Sequence, residues 1–220
     1  MAEYQQLVAR RKKYDFKDEG LKNPFKIEDG KYDGEHLNPW ADWWFADLDA
    51  KVLLIGQDFG NEDYFIENAK SDGQKEKDNK TNLDLIKLFD EAGFDLQDPK
   101  TPLYFTNCVL GIKTGEKMSG GVKDSWYSKT AQFIKELIYI IEPKVIIAMG
   151  RPAYLTVCKI YNKKKPTPIT KAVEDNPIIL SDGKLLFAVL HCSEASKQGQ
   201  YHRPFEVQKK DWGKIKKYID

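Results

Sequence analysis

The sequence predicts an α/β domain, a three-layer αβα sandwich around a central, mainly parallel four-stranded sheet. Three observations carry that prediction. Four short apolar runs, KVLLIG (51–56), PLYFTNC (102–108), KVIIAMG (144–150) and LLFAVLH (185–191), are β-branched or aromatic and do not alternate with polar residues. Strands buried on both faces read this way. Segments with apolar residues three and four positions apart lie between the runs, which gives strand, helix, strand, helix along the chain. Polar residues able to do chemistry stand at the far ends of the runs rather than inside them.

Residues 2–13 are expected to form a short helix. Residues 14–50 are turn-rich, with Gly20, Pro24, Gly30, Gly34 and Pro39, and close on NPWADWWFADLD. Trp40, Trp43 and Trp44, three of the five tryptophans, fall there and suit either an aromatic lid on the domain edge or a base-stacking platform. NLDLIKLFDEAG (82–93) has helical spacing and stops at Gly93. The next helix, 124–143, starts with a capping residue, Asp124, and stops before Pro143, whereas RPAYLTVCKIY (151–161) carries Pro152 where a first helical turn tolerates it. FEVQKKDWGKIKKYI (205–219) is amphipathic apart from Gly213. The charged stretch 71–80 reads as a solvated loop, and 167–184 as a turn or an extra hairpin around Asp182-Gly183. The chain thus divides into an N-terminal extension, 1–50, packed on a single globular unit, 51–220.

Composition narrows the function classes. At 220 residues, 41% hydrophobic and 31% charged, the chain can bury a substantial core. Lys and Arg total 35 against 34 Asp and Glu, a balance that argues against coating nucleic acid by charge alone but leaves room for a local basic strip. No apolar run approaches the roughly 20 residues of a membrane span. The polar, basic start MAEYQQLVARRKKYD has no secretory pattern. Cys108, Cys158 and Cys192 are far apart, so neither a disulfide framework nor a cysteine-held metal or iron–sulfur centre is expected, and a reducing intracellular compartment fits. Neither a Gly-x-Gly-x-x-Gly fingerprint nor a Walker-type loop occurs, which disfavours a Rossmann-type enzyme for small molecules.

In an open parallel sheet, ligands bind outside the carboxyl ends of the strands. Gln57 and Asp58 follow the first run, Asn107 ends the second, Gly150 and Arg151 follow the third, and His191 and Ser193 close the fourth. Each residue has an ordinary structural explanation: Asp58 as a cap or turn residue, Asn107 as a loop tether, His191 as a satisfied strand-end histidine. Together they bring an acid, a carboxamide and an imidazole to one rim from three strands.

GQDFGN (56–61), LYFTN (103–107) and HCSEAS (191–196), with EPKVIIAMGRPAY (142–154) between them, resemble the motifs of the uracil-DNA glycosylase superfamily in order and spacing. The likeness covers roughly residues 50 to 218. It implies a cofactor-free, metal-free hydrolase of the N-glycosidic bond of uracil or a related damaged base, acting in base excision repair as a monomer on DNA, with the base flipped from the duplex or met in a single strand. By that resemblance Asp58 faces the sugar and orients or activates water, and His191 donates to the base oxygen. Asn107 pairs with the base edge, and Gln57, Phe59 and Gly60 form the turn beside it. Ser193, Ser196, Lys197 and Arg203, with His202, are the expected contacts to DNA phosphates.

The chain also departs from the family pattern. Phe59 replaces a proline, and Gly60 stands where some members place a tyrosine that excludes the thymine methyl. Cys192 replaces another proline, Glu194-Ala195 replaces a Pro-Leu pair, and the stacking aromatic falls to Phe59, Tyr64 or Phe65. The altered HCSEAS loop and the near-neutral charge motivate a second reading, a module that keeps the fold and binds nucleic acid or a protein without catalysis. The clusters RRKK (10–13) and KIKKYI (214–219) are expected to be solvated helix faces.

Overall fold

The computed structural model describes residues 1–17, 20–37, 46–71, 73, 78–96, 98, 100–115, 122–198, 201 and 203–219, except for the side chain of Ala195. Trp40, Trp43, Trp44 and His202 lie outside the described residues.

The chain opens with helix α1 (Ala2–Lys13) and a two-residue strand β1 (Leu21–Lys22). It then runs through β2 (Val52–Gly56), α2 (Glu62–Lys70), α3 (Lys80–Glu91), β3 (Leu103–Asn107) and β4 (Ile112–Lys113). The second half holds α4 (Asp124–Ile141), β5 (Val145–Met149), α5 (Arg151–Ile160), α6 (Ile169–Glu174), β6 (Ile178–Ile179) and β7 (Leu185–Val189), and ends with α7 (Glu194–Gln198) and α8 (Phe205–Gly213). No described helix is long and apolar enough to cross a membrane.

The main sheet has the order β3-β2-β5-β7-β6, with the first four strands parallel and β6 antiparallel to β7. Four parallel strands match the four apolar runs. The fifth, β6, corrects the four-stranded expectation: it is the outer arm of the hairpin around Asp182-Gly183, where Gly183 sits at φ +84° and lets the chain reverse. β6 is only two residues long, and Ile179 on it is exposed, so periodicity gives little sign of it. β1 and β4 pair separately as a two-stranded antiparallel ribbon.

Side chains alternate across the parallel strands and fill two cores. Leu53, Ile55, Tyr104, Ile146, Ala148, Leu186 and Ala188 face one cluster, which also takes Tyr4 and Leu7 of α1, Ile134 and Leu137 of α4, Val157 of α5 and Ala172 of α6. Val52, Leu54, Phe105, Val145, Ile147, Phe187 and Val189 face the other, closed by Leu85, Leu88 and Phe89 of α3 and Trp212 of α8. Helices on both faces explain why the four parallel strands are apolar except for Thr106 and Asn107 at the end of β3. Asn61 and Asn79 cap α2 and α3 by accepting from the backbone N–H of Tyr64 and Asn82. At α4, by contrast, the N-cap is Lys123, without a side-chain cap bond, and the expected cap Asp124 is the first helical residue.

The N-terminal segment is fastened by polar groups as well as apolar ones. The hydroxyls of Tyr4 and Tyr104 lie 2.6 Å apart, which ties α1 to β3. Arg11 is fully buried and pairs bidentately with Asp33 at 2.6 and 2.7 Å, while its guanidinium also donates to the carbonyl of His36. The expectation that 10–13 is a solvated basic face therefore fails at Arg11. A buried guanidinium needs a carboxylate, and Asp33 lies too far along the chain for helical spacing to reveal it. Arg11→Met alone is expected to destabilise the fold by about 3–5 kcal/mol, because Asp33 is left as an uncompensated buried charge. Arg11→Met with Asp33→Leu should be markedly less harmful than that single change, measured by urea unfolding.

Candidate functional site at the strand ends

Parallel pairing fixes where the polar residues arrive. Gly56 is in register with Asn107 across β2 and β3, and Met149 with Val189 across β5 and β7. The turn after β2, the end of β3, the start of α5 and the segment after β7 therefore share one rim. The chain leaves β2 for β3 on one side and later returns to β5 on the other, so this rim includes the point where strand order reverses.

The turn after β2 is held from two directions. The carbonyls of Gly56 and Gln57 accept from the backbone N–H groups of Cys108 and Val109, at 2.9 and 3.0 Å. The Asp58 side chain folds back on its own turn: Oδ1 accepts from Gly60 N–H at 2.8 Å, and Oδ2 accepts from the Gln57 side-chain amide at 2.8 Å. Gly60 has φ +82°, a conformation that suits glycine. Lys113 of β4 completes the arrangement. Its Nζ lies 3.0 Å from Asp58 Oδ1, and only 8% of either side chain is exposed. The Lys113 backbone N–H donates to the Gly60 carbonyl at 3.1 Å, so this lysine is bound to the same turn through main chain and side chain alike.

Asn107 is 3% exposed, and its side chain makes no hydrogen bond among the described residues. It lies across Gly56: a Cβ at position 56 would come within 2.2 Å of Asn107 Oδ1 and 3.4 Å of the Phe105 ring. Glycine at 56 is thus required by close approach rather than by backbone angle. The residue is buried as a whole, but its carboxamide is not one of the fully buried polar groups left without a partner.

His191 follows β7 and is partly exposed. Its Nδ1 accepts from the backbone N–H of Ser193 at 3.1 Å. The neutral ring then carries its proton on Nε2, which is left as a donor. Burial pushes the imidazolium below the usual histidine range, while the negative charge of Asp58 pulls the other way, so the neutral ring prevails near pH 7. Gly150, at φ +91°, passes the chain from β5 into α5 and donates to the Val189 carbonyl at 2.8 Å, and its space for a Cβ opens 4.0 Å from His191 Cβ.

The other sequence-predicted residues are differently placed. Phe59 and Phe65 are fully buried in the core cluster and present no ring face to the rim, while Tyr64 is half-buried and its hydroxyl accepts from the Asn79 side chain. Ser193 starts the turn into α7, and Ser196 is buried. Lys197 is held by Asp84 and Glu194, and Lys80 also pairs with Glu194. Arg203 grips Asp211 with two nitrogens. Lys197 and Arg203, two of the expected phosphate contacts, are therefore already matched by carboxylates. Sequence reasoning passed over Lys113, although it closes the apolar stretch CVLGI much as Asp58 and His191 close theirs. A separate cavity of about 370 Å³, lined in part by Leu155, Cys158 and Lys163, lies at the far end of α5 from this rim.

Among the described residues no cluster of His, Cys, Asp and Glu could hold a metal ion. No model of a known protein family matches the chain, and no curated protein is detectably similar to it.

Two expectations follow from this geometry. Gly56→Ala should destabilise the fold by about 1–3 kcal/mol through overpacking, and much less in an Asn107→Ala background, as urea unfolding of the four-member cycle would show. His191 should give the ¹⁵N shifts of the Nε2–H tautomer at pH 7. Its folded pKa is lowered, so the unfolded chain takes up the proton more readily and the folded state loses stability as pH falls below about 6.5. His191→Gln should flatten that part of the stability–pH curve.

Proposed function

We propose that the chain is a cofactor-free DNA glycosylase that hydrolyses the N-glycosidic bond of uracil or a related damaged base. The observation that carries this reading is Asn107, a buried residue whose carboxamide has no partner among the described residues, at the carboxyl edge of a parallel sheet. Its amide offers one donor and one acceptor, the pattern that matches the O4 and N3–H edge of uracil. His191 supports the reading with a neutral Nε2–H donor, suited to the oxygen of a departing base. Asp58 supplies a carboxylate on the same rim for the cationic sugar and for the attacking water.

The reaction requires water to add at C1′ while the C1′–N bond breaks. The electron pair leaves with the base, where His191 and Asn107 hold it, and the water proton passes towards Asp58. The base must reach the rim out of the stack, from a flipped nucleotide or a single strand. With Lys197 and Arg203 engaged by carboxylates, the Ser193 hydroxyl and the backbone N–H groups of residues 194 and 195 are left as the phosphate contacts in this reading.

The second reading, a binding module without catalysis, is favoured by one feature: the Lys113 ammonium 3.0 Å from Asp58 offsets the charge that a cationic sugar needs. One assay separates the two. The purified chain is incubated with labelled single- and double-stranded oligonucleotides containing uracil, hypoxanthine or mismatched thymine, then treated with alkali. Cleavage at uracil is expected, reduced by at least about 100-fold in Asp58→Asn and in His191→Ala. Binding of the same oligonucleotides with no cleavage of any of them would establish the module instead.

A further inference from the structure

Lys113 shapes what Asp58 can do. A carboxylate offers about four lone-pair directions, two on each oxygen. Oδ1 takes the Gly60 N–H at 2.8 Å and the Lys113 ammonium at 3.0 Å, while Oδ2 takes the Gln57 amide at 2.8 Å. One acceptor direction on Oδ2 therefore has no described donor. The ammonium is brought there by backbone: β4 pairs with β1, Lys113 N–H bonds the Gly60 carbonyl, and a bridge joins Lys113 to Asn61. A lysine buried to this degree and tied at both ends is not a solvated surface cation.

We infer that Lys113 is a positioning residue of the site: it clamps Asp58 through Oδ1 so that a single acceptor direction, on Oδ2, is presented to a water or substrate hydroxyl. Its role in turnover rests on the glycosylase reading, whereas the clamp itself does not. Among the described residues, the charged and titratable groups around the carboxylate are Lys113 from β4, His191 after β7 and the thiol of Cys108 after β3. Lys113 is the one in direct contact.

Two measurements on full-length Lys113→Met and Lys113→Arg test the inference. Hydrogen exchange of the Gly60 amide, followed by NMR, reads the clamp whether or not the protein is active. Exchange should be about tenfold faster in Lys113→Met and close to wild type in Lys113→Arg. Unchanged exchange in Lys113→Met overturns the clamp. Single-turnover cleavage of a uracil oligonucleotide reads its consequence. Lys113→Met should lower the saturating rate by about 100-fold with the half-saturating concentration unchanged, Lys113→Arg should recover most of it, and Lys113→Met should cost nothing further in an Asp58→Asn background. A loss confined to half-saturation, or one that adds fully to Asp58→Asn, overturns the positioning role. If the wild type cleaves no oligonucleotide, the glycosylase reading fails by itself, and the Gly60 exchange still decides the clamp.

Discussion

The carboxamide of Asn107 rests on the α-carbon of Gly56, and much of the rim follows from that contact. Parallel register sets these two residues side by side, and the absence of a side chain at 56 lets β3 end with a polar group lying over β2. The backbone then continues the pairing past the strands, as Cys108 and Val109 bond the carbonyls of Gly56 and Gln57. The turn that carries Asp58 is consequently an extension of the sheet rather than a free loop. A larger residue at 56 would disturb the carboxamide, the strand pairing and the turn together, because all three share one small volume.

Polar groups buried around this contact are handled in two ways. Some are paired. Asp33 takes two donors from the Arg11 guanidinium far from the rim, and Asp211 on α8 takes two from Arg203. Others are left with capacity. Asn107 has no side-chain partner among the described residues, and the Nε2–H of His191 faces away from the bond that fixes the ring. Paired groups give rigidity at the expense of reactivity. Unpartnered buried polar atoms also occur on helices rather than at the strand ends, on Arg11, Trp126, Gln208 and Trp212, whereas Asn107 and His191 stand where the sheet topology favours a ligand.

Much of the fold was legible because both faces of the sheet are covered, which makes the parallel strands read as uninterrupted apolar runs. Helix spacing located α1, α3, α4 and α5 to within a few residues. What escaped was short or set by contacts distant in sequence. β1, β4 and β6 each have two residues, too few for a period to register. The helix α2 also escaped, its start marked only by the Asn61 cap. Strand-end reading put Asp58, Asn107 and His191 on one rim because the carboxyl ends of parallel strands have a fixed address in the sequence. It could not find Lys113, whose partner is 55 residues upstream, nor foresee that Lys197 and Arg203 are matched by Asp84 and Asp211. Ion pairing across elements leaves no trace in local spacing.

The thiols give this arrangement a use of their own. Cys108 adjoins Asn107 and Cys192 adjoins His191, and each is buried with its Sγ directed at a carbonyl, that of Gln57 at 3.4 Å and that of Thr81 at 3.2 Å. Burial pushes both thiols well up, that of Cys192 to about 12, so neither reacts while the strand ends are closed. Each becomes available to an alkylating reagent only when its own segment opens. The two cysteines thus act as native clocks, one on the carboxamide and one on the imidazole, and the ratio of their labelling rates tells which side of the rim loosens first.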